Sequence, residues 1–149
     1  MAKTFVEVPK IFEKFDGVVI EVVEKGIHDA TDDLLRVASL RSPVDEGTLE
    51  KSGTSKVIKS GKSIKGIVSF SARNNGYNYA LKMDKGNYKL GKKSRSKSSK
   101  GVRSKFAKTT MKVGSGYLTD SAEQCADGYR EHINSLIGQT VVKAGLRIK

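Results

Sequence analysis

Between Asp16 and Ser42 the apolar positions fall at a helical spacing. Ile20, Val23, Ile27, Ala30, Leu34, Val37 and Ala38 keep one stripe apolar, while Glu21, Glu24, Asp29, Asp32, Asp33 and Arg36 mostly take the other side. Gly17 and Gly26 each weaken this helix by about 1 kcal/mol relative to alanine. Pro43 disfavours helical backbone at Ser42, so the pattern predicts a helix that ends there.

The period then changes. Pro43-Val44-Asp45-Glu46-Gly47 reads as a turn: proline fixes one dihedral, Asp can bond its own backbone, and glycine permits a positive φ. Two strands are predicted over Ser52–Ser60 and Ser63–Ala72, joined by the hairpin signal Ser60-Gly61-Lys62. Asn74-Asn75-Gly76 is a second turn. The alternation of Tyr77, Tyr79, Leu81 and Met83 with polar or small residues then predicts a third strand. Asp84-Lys85-Gly86-Asn87 is a further turn. At the other end of the chain, residues 1–15 alternate apolar and polar around Pro9. They predict a short arm or irregular helix that packs against another surface, which the pattern does not specify.

Residues 89–116 break the pattern. Lys92 to Lys100 contains no hydrophobic residue, and Lys92, Lys93, Arg95, Lys97, Lys100, Arg103, Lys105 and Lys108 follow one another without an acid between them. A segment of this kind buries too little apolar surface to offset its ordering cost, so a mobile loop is expected, with Val102, Phe106 and Met111 as its few anchors. Order returns at Asp120, which with Glu123 forms an Asp version of a capping box. Ala122, Cys125, Ala126, Tyr129, Ile133, Leu136 and Ile137 continue as a helical stripe, Gly138 reads as its stop, and Thr140–Ile148 as a final strand. The fold class that follows is α+β. It has an antiparallel β-sheet of about four strands packed against a long N-terminal helix and a C-terminal helix, with a long basic loop.

A chain of 149 residues fits one domain over 1–149. No apolar run approaches the roughly 20 residues that span a bilayer, so no membrane partner is expected. The stretch Met1–Glu7 lacks an apolar signal core, which argues against a secretory leader. The single cysteine, Cys125, excludes an internal disulfide and a cysteine-rich zinc site, and its place on the apolar stripe makes it a buried structural thiol.

Charge changes the picture most. There are 28 Lys and Arg against 16 Asp and Glu, a net +12. Residues 1–50 hold 6 basic and 11 acidic side chains; residues 51–119 hold 18 basic ones and the single acid Asp84; residues 120–149 hold 4 of each. A basic body thus lies between an acidic head and a neutral tail. Such segregation implies an acidic partner surface, nucleic acid, or a second copy of the chain whose acidic face turns toward the basic one. The candidate contact residues are the eight cations from Lys92 to Lys108. The candidate inter-subunit acidic face is Glu21, Glu24, Asp29, Asp32 and Asp33. The basic segment has two functional readings. One is phosphate contact, which lysine and arginine make by displacing counterions; Phe106 is the lone aromatic there, so single-strand binding is less favoured. The other is an arm that orders against a neighbouring subunit. A solvated linker is the plain alternative.

Catalytic chemistry finds little support. His28 and His132 lie far apart, in no metal-ligand spacing and in no nucleophile motif. Asp45, Glu46 and Glu50 lack the spacing of a calcium loop, and the glycines from Gly86 to Gly116 match neither a Walker loop nor a dinucleotide fingerprint. No cofactor, no metal and no enzymatic activity are expected.

Three stretches line up with a known pattern. The helix from Ala30 to Arg41 leads into Ser42-Pro43-Val44-Asp45-Glu46-Gly47-Thr48-Leu49-Glu50-Lys51-Ser52. A sheet-like stretch ends in Asn78-Tyr79-Ala80-Leu81-Lys82-Met83-Asp84-Lys85-Gly86, and Gly116-Tyr117-Leu118-Thr119-Asp120-Ser121-Ala122 opens the second helix. Over about residues 20–137 the chain resembles the tail-completion, or head–tail connector, proteins of long-tailed phages and prophages, often labelled minor capsid or minor tail components. The turn motif Pro43, Asp45, Gly47, Leu49 and Ser52 carries the resemblance best. It implies a non-enzymatic virion component, assembled in the host cytoplasm. Such a component forms a ring, usually a hexamer, between the connector or stopper and the tail tube or tail terminator, with DNA passing through the bore. The alternative from another class is a small basic nucleic-acid-binding protein that grips phosphates with residues 89–112.

Overall fold

A computed structural model describes residues 2–7, 17–61 and 63–143. The predicted first helix is present as α1, Gly17–Arg41, and its apolar stripe from Val19 through Ala38 is buried. Ser42 N–H still donates to Ala38 O, and Pro43 then ends the helix as expected. Across the turn the chain forms a four-residue helix, α2 (Thr48–Lys51), where a turn running straight into a strand was expected. Burial of Leu49, 3 % exposed, against the core draws this single helical turn inward.

The hairpin follows as β2 (Thr54–Ser60) and β3 (Ser63–Phe70), paired antiparallel from Thr54↔Ser69 to Ser60↔Ser63. Residues 2–7 of the expected arm form a strand, β1 (Ala2–Glu7), rather than an irregular helix; residues 8–15 lie outside the described residues. β1 pairs with the edge of β3 that β2 leaves open, giving the antiparallel order β1-β3-β2. An open edge offers a row of unpaired N–H and C=O groups, which explains why an alternating segment docks there as a strand.

The predicted third strand over 77–83 is not formed. Arg73–Asn74 (β4) and Tyr77–Asn78 (β5) make a two-residue ladder, and Ala80–Lys85 becomes a helix, α3. Asn78 Oδ1 accepts the Ala80 N–H at 3.1 Å, taking one of the amides that a helix start leaves without a partner.

The long basic loop is also corrected. Lys92–Ser98 forms a helix, α4. Beyond it Val102 and Met111 exchange both backbone hydrogen bonds at 2.8 Å, and Val102, Met111, Val113, Tyr117 and Leu118 are buried. The expected anchors therefore hold. Phe106 packs against Tyr129 with ring centroids 5.1 Å apart, and Ser104 Oγ donates to Asp33 at 2.7 Å.

The last helix, α5, runs Thr119–Lys143, past the expected stop at Gly138 and through the first residues of the expected final strand. Ile133, Ile137 and Val141 are all buried, so the stripe simply continues through Gly138. The rest of that predicted strand, 144–148, lies outside the described residues. α1 and α5 pack antiparallel. Val19, Val23 and Ile27 meet Ile133, Ile137 and Val141 at one end, and Leu34, Val37 and Ala38 meet Leu118, Cys125 and Tyr129 at the other. β3 lays Val68 and Phe70 against the second cluster, with Tyr117 edge-on to Phe70 at 5.2 Å. The architecture is α+β, with two long helices against a small antiparallel sheet, as the pattern implied.

Candidate functional site

The turn and the start of the basic segment are locked together. Gly47 sits at φ +82°, the left-handed backbone expected of it, and precedes α2. Val44 N–H donates to Ser94 Oγ at 2.8 Å, Ser94 Oγ donates back to Val44 O at 3.1 Å, and Lys93 Nζ reaches Asp45 O at 2.7 Å. Pro43 and Leu49 are buried, Asp45 is exposed, and Ser52 Oγ donates to Leu49 O at 2.7 Å. The motif is thus a structural joint, with Asp45 at its rim.

Between this joint, the β4–β5 ladder, α3 and residues 88–94 lies an open groove of about 820 Å³. Its lining includes Tyr77, Tyr79 and Tyr88, with Lys82, Lys89 and Lys92 around them. Tyr77 is 61 % exposed. Tyr88 is half-buried, and its hydroxyl donates to Met83 O at 2.5 Å. Burial first, then the negative charge of Asp84, pushes the Tyr88 phenol up to about 12.

The eight cations singled out in the sequence separate into three kinds. Lys97 turns inward: its Nζ donates to Ser39 O and Ser42 O at 2.9 Å each and to Glu50 Oε2 at 3.0 Å. It thereby satisfies carbonyls that the C-terminus of α1 leaves free, where a cation also suits the helix dipole. Lys93 holds the turn, and Lys105 lies 5.0 Å from the centre of the Phe106 ring. Lys92, Arg95, Lys100, Arg103 and Lys108 are exposed, with no acidic partner among the described residues. α4 begins with Lys92 and Lys93 and has no acid in its first turn, which opposes its dipole. Three of its seven residues are serines, poor helix formers. Its tertiary hydrogen bonds hold it, and local preference does not.

The five acids of α1 are distributed differently from one another. Asp33 accepts from Arg36 at 2.9 Å, Ser104 at 2.7 Å and Tyr129 at 2.9 Å, so it ties α1 to the basic segment and to α5. Asp29 accepts from Lys25 and pairs with His132 Nε2, both at 2.9 Å. Burial raises the Asp29 carboxyl, but the hydrogen bonds and charges of His132 and Lys25 outweigh it and leave the group below its ordinary value. Glu24 faces Lys59 at 3.8 Å, whereas Glu21 and Asp32 are exposed. Lys25 and Arg36 are exposed on the same helix, so its outer side carries both signs.

Sequence reasoning missed Arg41, which is 4 % exposed. Its guanidinium donates to Lys112 O at 2.8 Å and Ser121 Oγ at 2.9 Å, and pairs with Asp120 at 2.9 Å. The apolar stripe around it gave no signal, because a helix-terminal arginine reads as an exposed charge. It also missed the groove tyrosines: the pattern puts Tyr77 and Tyr79 on one face of a strand and assigns Tyr88 to no element. Cys125 is buried as expected, and burial raises its thiol. Among the described residues no group of three or more His, Cys, Asp or Glu is placed to hold a metal ion, and no helix is long and apolar enough to cross a membrane. Comparison with known protein families, with curated proteins and with solved structures finds no match for this chain.

Proposed function

We propose that the chain is a non-enzymatic structural component of a long-tailed phage neck. In this reading copies of it close into a ring, a hexamer by the resemblance, between the head connector or stopper and the tail tube or tail terminator. DNA passes through the bore, and the ring belongs to the virion after assembly in the host cytoplasm. The observation that carries the reading is the group of five exposed, acid-free cations, Lys92, Arg95, Lys100, Arg103 and Lys108, on a segment packed into the core. Like charges fixed without counter-charges destabilise a fold, so they make sense where another molecule supplies the negative surface. A heterologous ring supplies one by placing one flank of each subunit on the opposite flank of the next, and DNA phosphates supply another. Electron microscopy of the purified protein and of assembled particles tests the proposal: rings, or density at the neck, are expected, and a permanently solitary chain absent from particles refutes it.

The same cations favour a second reading, a small nucleic-acid-binding protein. That reading requires the monomer to bind duplex DNA with an affinity that falls steeply between low and moderate salt.

A further inference from the structure

We infer that the groove between the Pro43–Leu49 turn and Lys89–Lys93 is the docking site for an acidic, aromatic- or aliphatic-bearing peptide segment of a partner protein. The inference deepens the proposed function and rests on its reading of this surface as a partner contact. Three observations on the groove combine. Its volume, about 820 Å³, lies within the roughly 300–1,000 Å³ of ligand clefts. Its rim carries Lys82, Lys89 and Lys92, all exposed and without a hydrogen-bond or ion-pair partner among the described residues. Its lining presents Tyr77, a large aromatic left mostly in water, together with the apolar Leu49, Met83 and Leu90. Exposed aromatics beside unpaired cations mark a surface that awaits both apolar contact and negative charge.

The acids of the lining decide between classes of occupant. Asp45 and Glu46 are exposed carboxylates on the turn side of the groove. A nucleic acid, which bears a phosphate at every step, would bring negative charge against them. A peptide can set its own acids against Lys82, Lys89 and Lys92 while an apolar side chain covers Tyr77 and a backbone amide or a cation faces Asp45 and Glu46. A second copy of this chain is a poorer donor: Asp29 and Asp33 are engaged by His132, Tyr129 and Ser104 within the subunit, and the exposed Glu21 and Asp32 share the outer side of α1 with Lys25 and Arg36.

The test is a displayed library of random peptides sorted against the full chain, with oligothymidylate as competitor. Recovered peptides are expected to combine several Asp or Glu residues with Phe, Tyr, Leu or Ile. A K82E/K89E/K92E triple variant and Tyr77→Ala should each weaken their binding about tenfold or more. A K56E/K59E variant, altered on β2 away from the groove, should leave binding unchanged. Circular dichroism checks each fold, and glutamine replaces glutamate at the three lysines if the charge reversals unfold the protein. Failure to recover peptides, recovery of neutral or basic ones, equal loss in the β2 variant, or displacement by oligothymidylate with loss in the same groove variants would each overturn the inference. The last outcome would assign the groove to nucleic acid. Ring formation is read separately by microscopy, so a failed groove and a failed neck assignment give different results.

Discussion

Asp84 and Leu118 lie 34 residues apart in sequence, yet Asp84 Oδ1 accepts the Leu118 backbone N–H at 2.9 Å. The same oxygen accepts Thr119 N–H at 3.1 Å, and the Asp84 carbonyl accepts from Ser115 Oγ and Gly116 N–H. A helix start leaves its first amides unpaired, and here a carboxylate from α3 supplies the cap for α5. Asp84 is 2 % exposed, so water cannot replace it.

Asp84→Ala should therefore lower stability by about 2–3 kcal/mol, since the buried Leu118 amide and the part-buried Thr119 amide both lose their acceptor. Asp84→Asn keeps an oxygen at Oδ1 but loses the charge that favours the helix N-terminus, and should cost about 1 kcal/mol. Urea unfolding followed by circular dichroism gives the ranking; equal midpoints for Asp84→Ala and the natural chain would contradict the capping role.

Two lysines of the basic segment should behave oppositely. Lys97→Ala removes donors from Ser39 O, Ser42 O and Glu50 and should destabilise the fold by about 1–2 kcal/mol. Lys100→Ala, at an exposed position, should stay within about 0.5 kcal/mol of the natural chain. Thermal melts of the two variants side by side distinguish a structural cation from a surface one.

Gly128 is where the basic segment touches α5. A Cβ there would collide with the Phe106 carbonyl, so Gly128→Ala must push that loop outward or shift the helix. A loss of about 2–3 kcal/mol is expected, together with faster hydrogen exchange at Met111 N–H, which bonds Val102 O. Unchanged exchange would mean that the segment is not held by this contact.

The Asp29–His132 pair gives the fold an acid-sensitive seam. The Asp29 carboxyl lies below its ordinary value in the folded chain, so its contribution is present above the unfolded value of about 3.9 and is lost as pH falls through the lower folded value. Asp29→Asn should be less stable than the natural chain near neutrality, and the two should converge below about pH 4. A difference that stays constant with pH would show that the carboxylate charge is not what matters.

Periodicity made the long elements readable. The stripe from Ile20 to Ala38 and the run from Cys125 to Ile137 each have one solution, and Ser60-Gly61 marks the hairpin. Where a pattern had two solutions, distant contacts decided. Tyr77, Tyr79, Leu81 and Met83 suit a strand as well as one helical turn, and the Asn78 side chain tips the choice at Ala80. Gly138 resembled a stop, but Val141 four residues after Ile137 extends the buried stripe and outweighs the cost of a glycine. The segment 89–116 was opaque because its order comes from single residues far from their partners: Ser94 bonds Val44 of the turn, Phe106 packs on Tyr129 of α5, and Val102 and Met111, nine positions apart, clasp each other. For the site, the cations were visible as charges, but nothing local separates Lys97 from Lys100. The groove required α3 and the β4–β5 ladder to be placed first.

The paired amides of Val102 and Met111 have a kinetic corollary. In the proposed partner contact that clasp closes the stretch before any encounter, so its charges would reach a collision already in shape, with no wrapping step to slow capture. The speed of meeting should then follow ionic strength: fast in dilute buffer, slower as added salt shortens the reach of attraction.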